Sequence, residues 1–269
     1  MTEENTILDF NSAINALNSI SESFKIDVYI PSKQKTISFK EIDAKQQKSL
    51  LSAAIDNSVY NSDFIKTFYS ILKENILAED KSIVDELTIT DRSFIAIALK
   101  SQISEELNVK FTDEVSSKIN LKDVISKFTT YKTPSLTEVE LKNESVTLTV
   151  GITLPTIKIE VDYEENFYKD YKKVDQIKTN KDVQDIISDA FISETSKYIS
   201  YVNINGAKYD FNTLTFNQKI RVVEKLPSGL IQKVLEQVSK WKNDIDSVLT
   251  VTNGDLKRVI AIDSLLFLS

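Results

Sequence analysis

The chain contains no cysteine and no histidine. Without cysteine there is neither a disulfide nor a thiolate nucleophile. Without histidine the usual general base near neutral pH is gone, and so are the commonest zinc ligand and every Ser-His or Cys-His couple. Arginine is confined to Arg92, Arg221 and Arg258, and the rest of the 33 basic residues are lysine. Few bidentate forks for phosphate or guanine are therefore available. Only four Gly and four Pro occur in 269 residues. That scarcity predicts few loops and leaves no G-x-x-x-x-G-K or G-x-G-x-x-G phosphate cradle; a D-x-[DN]-x-[DN]-G calcium loop is missing too. The C-terminal apolar run, Val259 to Leu268, is only ten residues long, carries Asp263 and is too short to span a bilayer as a helix.

What is present describes a globular protein. Hydrophobic residues make up 41% and charged residues 27%, which argues against disorder and allows one large or two small domains. A net charge of −7 favours solubility and disfavours nucleic acid, whose phosphates need cations. The start, Met1-Thr2-Glu3-Glu4, is acidic and lacks the apolar core of a secretory signal. No basic amphipathic helix points to a membrane surface.

One phrase occurs twice. Val28-Tyr29-Ile30, a polar turn and Phe39 lead into Ile42-Asp43-Ala44-Lys45-Gln46; Val202-Asn203-Ile204, a turn and Phe211 lead into Leu214-Thr215-Phe216-Asn217-Gln218. Alternating apolar residues around Pro31–Gln34, and around Asn205-Gly206, predict a hairpin in each copy. Asp43 with Gln46, and Thr215 with Gln218, have the spacing of a capping pair, so a helix follows each hairpin. The glutamines are then capping groups and the two phenylalanines core anchors.

Elsewhere, Ile7, Phe10, Ile14 and Leu17 share one helical face, and helices are expected from about Asp63 and Asp91. Leu121 to Phe128 suits a short helix. Between 136 and 164 the period changes to two: Val146, Leu148, Val150 and Ile152 alternate, as do Ile157, Ile159, Val161 and Tyr163. This predicts two or three antiparallel strands with one buried face. Helical spacing resumes at Asn180, and a long helix runs from Ile231 to Ile245 before Asn253-Gly254 turns the chain into its apolar tail. The expected fold is α+β: a mostly helical body with two hairpin-helix units and an inserted small antiparallel sheet. The corresponding division is 1–106, 107–175 and 176–269.

Catalysis without histidine would have to rest on carboxylates or lysine. Asp85 with Glu86, Glu164 with Glu165, and Asp244 with Asp246 are the candidate pairs. Neighbouring acids point in different directions, and polar surface is the simpler use of them. Tyr163, Phe167, Tyr168, Tyr171, Lys172 and Lys173 interleave rings and cations as single-strand binders do. Glu164, Glu165, Asp170 and Asp175 offset that charge, so packing or protein contact fits better.

Two motifs stand out: Ala44-Lys45-Gln46-Gln47-Lys48-Ser49-Leu50-Leu51, and Asp91-Arg92-Ser93-Phe94-Ile95-Ala96-Ile97-Ala98-Leu99-Lys100. With the Leu154-Pro155-Thr156 stretch and the apolar tail, they make the chain resemble the T4-type bacteriophage baseplate proteins associated with the central hub. The resemblance implies a non-enzymatic part of a contractile-tail baseplate, located in the virion tail and assembled in the host cytoplasm. It implies other baseplate or hub proteins as partners, leaves a homo-oligomer open, and supplies no catalytic residue, metal or cofactor. A transient assembly chaperone for hub subunits is the alternative, and a carboxylate-dependent hydrolase a third reading. The expected protein-docking residues are a strand edge at Ile157, Ile159, Val161 and Tyr163, and the tail residues Leu265, Leu266, Phe267 and Leu268.

Overall fold

The computed structural model describes residues 9–55, 62–171, 179–260 and 264–267. Helix α1 (Phe10–Ser23) starts at Asp9, whose carboxylate accepts the Ser12 N–H at 3.0 Å. Strands β1 (Lys25–Ile30) and β2 (Lys35–Lys40) form the first hairpin, and helices α2 (Ala44–Ile55) and α3 (Ser62–Asn75) follow. After a 3-10 segment at Lys81–Glu86 comes α4 (Ile89–Ile103). A second hairpin, β3 (Glu106–Lys110) and β4 (Ser116–Asn120), runs directly into α5 (Leu121–Ile125). Next are β5 (Thr137–Lys142), β6 (Thr147–Ile152), α6 (Ile157–Tyr171) and α7 (Asn180–Ser196). The C-terminal part comprises β7 (Ile199–Ile204), β8 (Ala207–Asp210), α8 (Phe216–Val223), α9 (Ser228–Leu249), β9 (Thr250–Asn253), β10 (Leu256–Val259) and a 3-10 turn at Ser264–Phe267. The fold is α+β, with small antiparallel sheets set among helices.

Both copies of the repeated phrase fold as a hairpin feeding a helix. Val28 pairs with Ile37 and Val202 with Tyr209. The tight turns need left-handed backbone, which Gln34 (φ 50°) supplies in the first copy, and Asn205 (φ 50°) with Gly206 (φ 90°) in the second. Asp43 Oδ1 accepts the Gln46 N–H at 2.7 Å, and in the second copy the Thr215 N–H donates to Gln218 Oε1 at 2.9 Å. Each cap satisfies backbone donors that a helix start leaves open. Phe39 and Phe211 are both buried. Phe39 sits in strand β2, whereas Phe211 opens a 3-10 turn because Asp210 accepts the Asn212 N–H and ends the shorter β8. The pattern reaches further than the two copies: β3–β4, β5–β6 and β9–β10 also lead into helical segments.

The expected third strand at 157–163 is instead the start of helix α6. Thr156 decides this locally: its Oγ1 accepts the Ile159 N–H at 3.2 Å and its carbonyl accepts the Glu160 N–H at 3.0 Å. Ile157, Glu160, Val161 and Glu164 then share one helical face, since residues three, four and seven apart align. A period of two and a helical period both put residues 157 and 161 together, so alternation alone does not separate them. The sheet's further strands come from the second phrase. Its order is β5-β6-β7-β8, with Val150 opposite Val202.

Two apolar cores result. One joins the first hairpin and α2 to α4 with β3, β4, α5, the start of α6, the end of α9 and the C-terminal turn, around Phe39, Phe68, Phe94 and Phe128. The other lies between the four-stranded sheet and α9, around Val150, Val202, Phe211, Val234 and Trp241. The strand-rich stretch 107–175 contributes to both: Leu107 and Val109 to the first, Val139 and Val150 to the second.

Candidate docking surfaces

The expected docking residues are mostly interior. Ile157, Val161 and Tyr163 are buried on α6, and Ile159 is half-buried. They form no strand edge, because a helix closes its own backbone hydrogen bonds. In the tail, Leu266 and Phe267 are buried. The Phe267 ring packs 6.1 Å from that of Phe64 and 6.0 Å from that of Phe68. Leu265 lies in the same 3-10 turn, its side chain outside the described ones, and Leu268 falls outside the described residues. The tail contacts α2 and α4 and completes the first core. The first apolar core receives Ile157, Val161, Leu266 and Phe267. Of the ring-and-lysine cluster, Tyr163 packs edge-on to Phe216 at 5.1 Å; the side chains of Tyr168 and Tyr171, and Lys172 and Lys173 altogether, lie outside the described set.

The surface that is available lies elsewhere. Helix α1 exposes Phe10, Ile14, Leu17 and Ile20, with Phe24 just beyond its end. Helix α7 exposes Ile187 and Phe191, one turn apart, and the β7–β8 hairpin exposes Ile204 and Tyr209. The helical spacing of Phe10, Ile14 and Leu17 was visible in the sequence. Periodicity finds an apolar face without saying what that face meets.

The motif residues act inside the fold. Asp91 is fully buried and completes a capping box with Thr88: Oδ2 accepts from the Thr88 N–H and Oγ1, each at 2.8 Å. Its other oxygen accepts the Ser32 N–H at 3.2 Å. Arg92 donates to Glu160 on α6 in an ion pair shielded from water. Between them the chain is laced by Ile89 N–H to the Pro155 carbonyl at 3.1 Å and Ile157 N–H to the Leu87 carbonyl at 2.7 Å. The Asp91-Arg92 and Leu154-Pro155-Thr156 stretches are therefore neighbours. Gln46 does more than cap: its amide exchanges hydrogen bonds of 2.9 and 2.8 Å with buried Asn75, tying α2 to the end of α3.

Of the candidate carboxylates, Asp85, Glu86 and Glu165 are engaged in ion pairs. Asp85 accepts from the Tyr69 hydroxyl at 2.5 Å and pairs with Lys73 at 2.8 Å, with Lys158 at 3.8 Å. Burial pushes its pKa up, but the Lys73 ammonium and Tyr69 hydroxyl outweigh that and hold it below the usual value. Glu86 pairs with Lys33, and Glu165 with Lys66 at 3.9 Å. Glu164 lines a cleft of about 110 Å³ between α6 and α7, beside Glu194 and Lys197. Burial pushes its pKa up, and Lys197 offsets this only in part. Among the described residues, no group of three or more acids is placed to hold a metal, and no helix is long and apolar enough to cross a membrane.

Neither the curated proteins nor the solved structures provide a match to the chain. The sequence profile of a family described as "T4 bacteriophage base plate protein" does match, over residues 22–265. That span runs from the end of α1 to the C-terminal turn and takes in both hairpin-helix copies, the Asp91-Arg92 helix and its Pro155 neighbour. With the match covering most of the chain, the protein belongs to the T4 bacteriophage base plate protein family.

Proposed function

We propose that this baseplate protein is a non-enzymatic structural component of the contractile tail, associated with its central hub. The observation that carries the reading is the extent of the family match, which takes in the second apolar core and all of the first but Leu266 and Phe267. The side-chain chemistry is in keeping with it. Asp85, Glu86, Glu160 and Glu165 serve as ion-pair partners that hold elements together, and the residues of the sharpest motifs join secondary structures. The partners proposed are other baseplate and hub proteins, met through exposed apolar surface.

Quantitative mass spectrometry of purified virions tests the proposal, combined with chemical cross-linking of isolated baseplates. A structural hub component is present at fixed stoichiometry and cross-links to hub subunits. A protein found only in assembly intermediates is instead a transient chaperone. One found in the tail but cross-linked only away from the hub keeps the structural role and loses the hub placement.

A further inference from the structure

Helix α1 carries an apolar face that the rest of the chain leaves largely in water. Phe10 is 79% exposed, Ile14 41%, Leu17 59% and Ile20 51%, with Phe24 at 55% just past the last turn. Scattered exposed apolar residues are ordinary, but a contiguous line of them along one helix marks a docking face. We propose that α1 is a self-association surface through which two copies of this chain pair, helix against helix.

Spacing, charge and area point to a second copy as the occupant. Within the helix, Phe10 and Leu17 fall at successive a positions of a heptad and Ala13 and Ile20 at the d positions, which is the seam that packs against another helix; Phe24, the extended residue that ends the helix, adds apolar surface beyond it. Ile14, Ala16, Ser21 and Ser23 flank this seam, so no charge at e or g selects a different partner or repels an identical one. The helix has no Lys or Arg, and Glu22 is its only charged residue. An anionic lipid surface, which draws basic amphipathic helices, is thus poorly matched. The exposed side chains present on the order of 600 Å² per copy, given about 150–250 Å² for a whole aromatic residue. A two-fold pair would then bury roughly 1,200 Å², the lower end of what a stable interface needs. Such an interface uses the same patch on both copies and closes, without generating a filament. A helix of this length is marginal by itself in water. Pairing therefore stabilises the helix as well as covering its face.

The test is the mass of the full-length protein by sedimentation velocity across a range of concentrations, with Ile14→Asp/Leu17→Asp as the variant. The wild type is expected to reach the dimer mass with a concentration-dependent midpoint. The variant is expected to associate about tenfold or more weakly, while its urea midpoint, compared at a concentration where the wild type is also monomeric, stays unchanged because both side chains face solvent. The lack of native cysteine allows a second measurement. Ala13→Cys should form an intermolecular disulfide on mild oxidation, and Ser12→Cys, off the seam, should form far less. A wild type that stays monomeric at the highest concentration overturns the proposal, as does a variant that dimerises equally well. Saturable binding of the monomeric wild type to a purified hub protein or to vesicles containing anionic lipid would assign the face to that occupant instead.

Discussion

The Asp91 carboxylate accepts the backbone N–H of Ser32 at 3.2 Å while its second oxygen holds Thr88 at 2.8 Å. One buried side chain thereby fixes the start of α4 and anchors the turn of the first hairpin to it. A buried carboxylate is tolerated when its oxygens are filled by donors, and removing it leaves those donors in the interior without partners. Asp91→Ala is expected to lower stability by about 2–4 kcal/mol, measured by urea unfolding. Asp91→Asn, which keeps acceptor geometry on one side, should lose less.

Phe267 is expected to behave as a core residue. Phe267→Ala removes a ring packed on Phe64 and Phe68 and should cost about 3–5 kcal/mol. Deleting residues 265–269 should cost at least as much, with the loss visible as a lower thermal midpoint by circular dichroism. A truncated chain with an unchanged midpoint would show that the tail is not part of the first core.

Gly151 lies under the Tyr201 ring in the strand pair β6–β7, and a Cβ added there would sit well inside van der Waals contact with that ring. Tyr201 is also held by its hydroxyl, which donates to Glu138 on β5. Since the ring is fixed at its far end, it has little freedom to yield. Gly151→Ala is expected to destabilise by about 1–3 kcal/mol, measured by urea unfolding. Gly151→Ala combined with Tyr201→Ala should lose less than the sum, because the second change removes the clash.

Glu164 gives a pH signature of opposite sign to that of Asp85. Burial raises the folded-state pKa of Glu164 above its ordinary value of 4.5. Protonation therefore favours the fold: its contribution is complete below pH 4.5 and is lost as pH rises through the raised value. Glu164→Gln should raise the urea midpoint at pH 7, and the gain should vanish as pH falls below 4.5. Asp85 has a folded pKa below its ordinary 3.8, so its contribution is present above pH 3.8 and lost as pH falls through the lowered value. Asp85→Asn should accordingly lower the midpoint at pH 7 and lose that effect in strong acid.

The hairpins and caps were legible because their causes are local. Asn205-Gly206 carries left-handed backbone within two residues, and the Thr215–Gln218 and Asp43–Gln46 bonds close within one helical turn. The fate of 157–163 was less legible, since its alternation satisfied two periods at once and only the Thr156 hydroxyl broke the tie. The β3–β4 hairpin was harder still. Glu106–Lys110 alternates through Leu107 and Val109 but is only five residues long, and Ser116–Asn120 carries a single apolar residue, Ile119, so the partner strand gives little pattern to detect.

From the sequence alone followed the exclusion of thiol and imidazole chemistry, the α+β class, the twofold hairpin-helix phrase and the resemblance to baseplate proteins. Each depends on residue identity or on hydrogen bonds between near neighbours. Only the tertiary structure decided that Phe267 packs beside Phe64, that β6 takes β7 as its partner, and that the face of α1 meets water. Those outcomes are settled by contacts between residues far apart in the chain. Hydrophobicity has no direction: an apolar residue marks surface to be covered, and the arrangement of the whole chain determines what covers it.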